Sequence, residues 1–264
     1  MNYISSIHNT KVKQVVLLQQ KSSERRKSGL FVVEGRREIL HCLNNGYVCK
    51  SLFVNMELDG AEEFVSQVDC ESLYSVTPDV YSRMAYREGT EGAIAVIKSR
   101  HLSLDDLQLP EKPLIIVLES VEKPGNLGAV LRTADAAHAD AVIVCDPLTD
   151  LYNPNLIRSS IGAIFTVPCV ACSSEECIRF LKGRGIQILT AQLQDSNLYY
   201  DVDMTLPTAI VMGTESTGLT DIWRKSADAH IRIPMLGELD SLNVSVSTAI
   251  LAFEAVRQRG NGNS

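Results

Sequence analysis

A parallel α/β fold is predicted for the larger part of this chain, preceded by a smaller αβ unit. Three observations predict it. Helix and strand signals alternate from residue 114 to residue 257, the pattern of a parallel sheet with helices on both faces. Leu114-Ile-Ile-Val-Leu118 is an unbroken apolar run, as a strand buried on both sides requires. Residues 98–112 scatter Leu102, Leu104 and Leu107 among polar groups, with Pro110 and Pro113 close by, and read as a linker between two domains.

In the first 97 residues the stripe Val12, Val15, Val16 and Leu18 predicts a short helix over 11–20. Polar, basic residues 21–29 are predicted to form a mobile loop. Strands are expected at 31–34, 47–54, 72–76 and 93–97, with helices at 36–44, 61–68 and 79–84 between them. Beyond the strand at 114–118, helices are expected over 127–137, 155–160, 175–182 and 244–257. The matching strands are 141–145, 165–170, 186–191, 209–212 and 229–233.

Apolar residues make up 45% of the 264 and charged residues 22%, ordinary proportions for a globular protein. No apolar run approaches the roughly 20 residues that span a bilayer. The first residues carry neither a basic flank nor an apolar signal core, so a cytoplasmic location is expected. Seven scattered cysteines fit reduced thiols in a reducing compartment. Cys169-x-x-Cys172 with Cys177 beyond has the outline of half a zinc site, but no second closely spaced ligand pair follows, and no metal is expected.

The net charge of −7 argues against an indiscriminate nucleic-acid binder, but its distribution is uneven. Residues 1–50 hold nine Lys and Arg against three Glu, and the remainder 16 against 29. A basic face for a phosphate backbone is one reading of that asymmetry, a solvated helix face the other. Arg25, Arg26, Lys27, Arg36 and Arg37 are the candidate RNA contacts.

Open parallel sheets bind ligands beyond the carboxyl ends of their strands. Three polar, glycine-bearing loops fall there: Asn126 to Ala134, Gly213 to Gly218, and Pro234 to Asn243. Asn126 can cap the helix that begins there, Gly128 permits close backbone approach, and Arg132 projects from the second turn. Taken singly, Arg132 could be a surface cation, Glu215 a turn stabiliser, and Ser241 and Asn243 caps of the final helix. Their coincidence at one sheet edge points to a site. A nucleotide-binding dehydrogenase is disfavoured, since no Gly-x-Gly-x-x-Gly pattern follows Glu119.

These segments resemble the three motifs of the SpoU (TrmH) family of RNA ribose 2′-O-methyltransferases, within the SPOUT superfamily. The first, Asn-x-Gly-x-x-x-Arg-Thr-Ala, stands complete at Asn126 to Ala134. Val-Met-Gly213-Thr-Glu215-Ser-Thr-Gly218-Leu219 resembles the second, with Ser216 where a glycine is common. Ile233-Pro-Met-x-Gly-x-x-Asp-Ser241-Leu242-Asn243-Val-Ser-Val resembles the third, and Leu156 to Ala163 the family's intermediate helix. The likeness covers about 113–260. Phe31-Val-Val-Glu34-Gly35-Arg36 is similar to the start of the family's RNA-binding domain, which has a ribosomal-protein-like fold.

The resemblance implies an RNA substrate-binding domain over 1–97, a linker over 98–112 and a SPOUT methyltransferase domain over 113–264, its parallel sheet ending in a trefoil knot. It implies S-adenosyl-L-methionine held by Ala191, Gly213, Ile233, Met235 and Leu242. The implied reaction is methylation of a ribose 2′-hydroxyl in structured RNA, ribosomal in preference to transfer RNA, without a metal. Asn126, Arg132, Glu215, Ser241 and Asn243 form the implied catalytic set. Arg132 would assist deprotonation, directly or by clamping a phosphate; Glu215 would orient Asn126 or Arg132; Ser241 and Asn243 would hold the loop and the ribose. A homodimer is implied, with Arg132 reaching the partner's site. Val246, Ile250, Phe253 and Val256 lie at helical spacing and fit either a dimer face or the chain's own sheet. A non-catalytic RNA-binding or ribosome-assembly protein keeping the knot is the alternative, disfavoured because a binder has no need of the whole set.

Overall fold

The computed structural model describes residues 1–86, 91–214, 217–238 and 241–260. The chain divides into two compact units, Met1–Arg100 with Tyr152–Thr166, and His101–Leu151 with Val167–Ser264.

The first unit begins with β1 (Asn2–Ile4), α1 (Thr10–Gln20), α2 (Ser22–Ser28), β2 (Leu30–Glu34) and α3 (Arg36–Asn44). It continues with β3 (Cys49–Val54), α4 (Ala61–Ser66), β4 (Cys70–Val76), α5 (Pro78–Met84) and β5 (Ala93–Lys98). Its sheet has the order β1-β4-β3-β5-β2, with β5 antiparallel to both neighbours and the other pairs parallel. Asn9 opens α1 by accepting from the Lys11 amide at 2.9 Å, and Thr77 opens α5 ahead of Pro78. The α1 stripe then buries Val12, Val15 and Leu18 with Val32, Phe53 and Met84.

Residues 21–29 correct the expected loop. They form helix α2, closed by Gly29 at φ 63°. No apolar stripe announces this helix because its buried face is one arginine. Arg25 is 6% exposed and donates through Nη1 to the carbonyls of Leu18 (2.6 Å) and Gln19 (3.1 Å). These belong to the last turn of α1, whose carbonyls have no partner within that helix.

The later elements are β6 (Leu114–Glu119), α6 (Pro124–Ala136), β7 (Ala141–Cys145), α7 (Pro154–Ser159), α8 (Ala163–Thr166) and β8 (Cys169–Cys172). They are followed by α9 (Ser174–Gly183), β9 (Gln187–Ala191), β10 (Asn197–Leu198), β11 (Thr208–Met212), α10 (Asp221–Ser226), β12 (Ala229–Arg232) and α11 (Val244–Gln258). Helices α7 and α8 cluster with the first unit, although they lie inside the expected 113–264 domain. There Tyr152 stacks on Phe31 at 4.2 Å between centroids, and Phe165 at 6.1 Å. The strand expected at 165–170 begins only at Cys169, because Phe165 belongs to α8.

Seven strands of the second unit form a wholly parallel sheet in the order β10-β12-β9-β11-β6-β7-β8. Every residue of β6, β7 and β11 is buried, which is why these central strands read as apolar runs without alternation. The expected linker is part of this core: Leu107 is buried in it, and Leu102, Leu104 and Leu109 pack against it.

Three polar side chains secure the amino edge of the sheet. Asp140, just before β7, accepts from the Leu114 amide at 2.7 Å while its own amide donates to the Leu114 carbonyl at 2.8 Å. Asp228, just before β12, repeats the exchange with Ile188 at 2.7 and 2.9 Å. Arg259, beyond α11, donates to the carbonyls of Met204, Lys112, Pro113 and Leu206 at 2.8–3.1 Å. Partial burial draws its pKa below the ordinary arginine value, without removing a charge that arginine holds throughout the physiological range. Among the described residues no helix is long and apolar enough to cross a membrane.

Replacing Arg259 by alanine leaves four carbonyls without that donor. The expected loss is about 2 kcal/mol of unfolding free energy, read as a lower urea midpoint. Arg259→Lys should recover only a part, since an ammonium group cannot reproduce the guanidinium fork. An unchanged midpoint in Arg259→Ala would show that water serves the carbonyls equally well.

Candidate active site

β12, β9 and β11 lie side by side, and the chain leaving each borders one cleft of 380 Å³. Ala191, Gly213, Ile233, Met235 and Leu242, the five expected cofactor residues, all line it, and Ser241 does too. Met212, Leu219, Ile231 and Leu251 supply apolar wall. Arg224 and Arg232 are the charged lining residues among those described, and no carboxylate is among them. A hollow of this size beyond parallel strand ends suits a small organic ligand that presents an apolar body and an anionic group.

Gly213 holds the tightest point of the cleft. A Cβ built on it would lie 2.3 Å from the carbonyl carbon of Gly218 and 2.5 Å from the Leu219 nitrogen, so only glycine fits. The loop it opens is closed by paired backbone bonds between Thr214 and Gly218, at 3.2 and 3.1 Å, with Gly218 at φ 68°. Beyond the turn, Glu119 at the end of β6 fixes the chain. The residue is 3% exposed, and its carboxylate accepts from the Thr220 amide at 2.9 Å and the Thr220 hydroxyl at 2.5 Å. Charge-assisted bonds of this kind are roughly twice as strong as neutral ones.

Asn126 does not cap its helix, contrary to expectation. Pro124 occupies the first turn after Lys123, and Asn126 follows inside it. Its Oδ1 instead accepts from Asn243 Nδ2 at 3.2 Å, joining the first loop to the third. Asn243 also begins α11, accepting from the Ser245 amide at 3.0 Å and hydroxyl at 2.6 Å. A smaller hollow of 120 Å³ brings Asn126 together with Gly213, Thr214 and Val244. Arg132 is exposed on α6 and is not among the residues that line either hollow. Glu215 lies outside the described residues, as do Ser216 and Asp240.

The five basic candidates separate. Arg26, Lys27 and Arg37 are exposed. Arg36 is half-buried, donates to the Asp59 carbonyl at 2.8 Å and lies over the Phe64 ring. Arg25 is corrected from RNA contact to internal brace, for the reason given with α2.

Sequence reasoning missed Glu119, Thr220, Arg224 and Gln192. A lone carboxylate ending an apolar strand was the available signal for Glu119. Gln192 gave none. The residue lines the cleft, its buried Oε1 has no hydrogen-bond partner among the described residues, and its Nε2 donates to the Gln194 carbonyl at 2.9 Å. An orphaned acceptor of this kind invites a donor from a ligand.

Known proteins place this geometry in context. Residues 113–253 match the family model described as the SpoU rRNA Methylase family, and residues 9–95 match the MRM3-like substrate binding domain. The chain is 30% identical over 253 residues to the 23S rRNA (guanosine(2553)-2′-O)-methyltransferase RlmP of Bacillus subtilis, covering 96% of this chain and 98% of that one. It is 30% identical over 267 residues to the 23S rRNA (uridine(2479)-2′-O)-methyltransferase of Streptomyces viridochromogenes, covering 97% and 92%. Among solved structures, the SpoU methyltransferase AviRb from Streptomyces viridochromogenes in complex with AdoMet superposes with a TM-score of 0.90 at 28% identity, over 97% of this chain and 100% of that one. An RNA 2′-O ribose methyltransferase crystal structure gives 0.84 at 36% identity, over 97% and 99%.

Gly213→Ala should displace the Thr214–Gly218 turn, since the new methyl meets backbone with no flexible end to yield. Overpacking at such a site costs about 1–3 kcal/mol. Thermal unfolding of the variant should start lower, and limited proteolysis should cut within 213–220. A variant that melts and resists protease like the parent would refute the close contact.

Proposed function

The chain belongs to the SpoU rRNA methylase family, and from that premise we propose that it transfers a methyl group from S-adenosyl-L-methionine to a ribose 2′-hydroxyl of ribosomal RNA. The observation that carries this reading is the convergence of Gly213, Ile233, Met235, Leu242 and Ala191 on one cleft, with Asn126 and Asn243 bonded beside it. The relatives methylate guanosine in one case and uridine in the other, so the base is left open while the ribose is common to both.

The residues present fit the cofactor. Gly213 gives a cradle that any Cβ would fill, Gln192 offers an unpartnered acceptor, and Arg224 and Arg232 can meet a carboxylate. When bound, S-adenosyl-L-methionine supplies an electrophilic methyl on a sulfonium. The chain's own part is to position. Asn126 and Asn243 hold the edge of the cleft, Ser241 and Asn243 steady the loop and the ribose, and Glu215 orients Asn126 or Arg132. Bringing two reactants into line is worth several kcal/mol by itself. Arginine keeps its proton to a pKa above about 12. Arg132 therefore acts best by clamping a phosphate that receives the 2′-hydroxyl proton. The transfer itself calls for no metal.

Arg132 belongs to a second protomer's site in this proposal. Its exposure on α6, off the lining of its own cleft, supports a homodimer. So does α11, which packs on α6 and leaves Val246 and Phe253 each 47% exposed on its outer side. A trefoil knot around the cleft and a cytoplasmic setting complete the proposal. Residues 1–97 would bind the RNA, residues 98–112 would lead on, and residues 113–264 would carry the reaction.

Radiolabelled cofactor offered with undermethylated total RNA, then size-separated, tests the reaction. Label is expected in one ribosomal RNA, resistant to alkaline hydrolysis, and lowered at least about 100-fold in Arg132→Ala with cofactor affinity unchanged. Binding of cofactor without any transfer would instead mark a knotted RNA-binding protein.

Exposed Arg26, Lys27 and Arg37 changed together to alanine should weaken RNA binding and reduce the salt slope by about two to three. Arg25→Ala should instead lower stability and leave the slope alone. A slope unchanged in the triple variant would show that the patch is only solvated.

A further inference from the structure

We propose that Cys145, Cys172 and Cys177 form a three-thiolate site for a soft, thiophilic divalent cation of the zinc class, apart from the methyl-transfer cleft. The three sulfurs come from three elements of the second unit, and all lie within 4.8 Å of one another. Cys145 ends β7 and Cys172 ends β8, and the two are register partners on adjacent parallel strands, so their side chains share a face of the sheet. Cys177 comes down on that face from α9, whose start is fixed by the Ser173–Glu176 capping box. A zinc–thiolate bond of about 2.3 Å sets sulfurs roughly 3.8 Å apart in a tetrahedral site. The observed spread of at most 4.8 Å lies within about 1 Å of that spacing. Cys145 and Cys177 are fully buried, whereas Cys172 is half-buried, so the cluster reaches the surface at that thiol.

Spacing along the chain misdirects here. Cys169, three residues before Cys172, registers against Val142 and takes no part in the cluster. The second strand-borne thiol is Cys145, 27 residues away in sequence. Binding replaces three S–H bonds with three metal–sulfur bonds and releases three protons to solvent, so affinity rises with pH. Cys145 is also the register partner of Glu119, which places the bound ion beside the strand that holds the Thr220 turn. The site would brace that rim.

The test uses untagged full-length protein, reduced and freed of metal, titrated with cobalt(II) and then zinc(II). One equivalent of cobalt should give thiolate-to-metal charge-transfer absorption that zinc abolishes, and zinc should raise the melting temperature. Cys172→Ser, the substitution least disturbing to the core, should weaken zinc binding by at least about 100-fold, beyond what loss of an outer partner costs. Cys169→Ser should bind as the parent does. Absence of charge-transfer absorption, or its survival at full intensity in Cys172→Ser, would overturn the site and leave three thiols serving as core packing.

Discussion

A single buried carboxylate organises the working edge of the second unit. Glu119 closes a strand on which every other residue is apolar, and it has almost no access to water. Such a group is tolerable only when its oxygens are fully engaged. Thr220 engages both, through amide and hydroxyl. That exchange ties the chain after β11 to the end of β6, and just before it Gly218 and Leu219 lie so close to Gly213 that no side chain fits there. One buried acid thus fixes the chain that leaves the rim of the cleft at Gly218 and Leu219.

The opposite edge is held by equally local means. Asp140 and Asp228 each pair with one strand residue through both side chain and backbone, and Arg259 collects four carbonyls. Parallel strands leave their first amides and carbonyls unpaired, and these bonds close that account. With both edges fixed, the loops that border the cleft start from well-defined points. Positions 126 and 243 come within hydrogen-bond distance although 117 residues separate them.

Much of this was legible in the chain because burial on both faces leaves continuous apolar runs, as in Leu114 to Leu118. The cleft residues were legible too, through a family likeness carried by polar loops. What escaped reading escaped for physical reasons. Helix α2 buries an arginine, and α10 buries one residue, Trp223, so neither shows an apolar period. Strand β10 has only two residues and exists through pairing with β12. Leu107 sat among polar neighbours yet belongs to the core. Residues 155–160 gave a correct helical signal and Phe165 a misleading strand signal, and the allegiance of 152–166 to the first unit depends on aromatic stacking with Phe31, which no local pattern encodes. Of the three clustered thiols the sequence outlined Cys172 and Cys177 but put Cys169 in the place of Cys145, which joins them only across adjacent strands.

Arg259 has a bearing on how the molecule comes into being. Its bond to the Lys112 carbonyl spans 147 residues, and closing a segment of that length carries an entropy cost of roughly 4 kcal/mol. The first unit faces a milder version of the same delay, since Phe31 waits for Tyr152 and Phe165. A chain emerging residue by residue from a ribosome therefore has neither unit complete until long after its early strands are made. Those strands pass that interval with apolar faces uncovered. Maturation of this protein is thus expected to be slow and largely post-translational, with a call on chaperones that its final stability would not reveal.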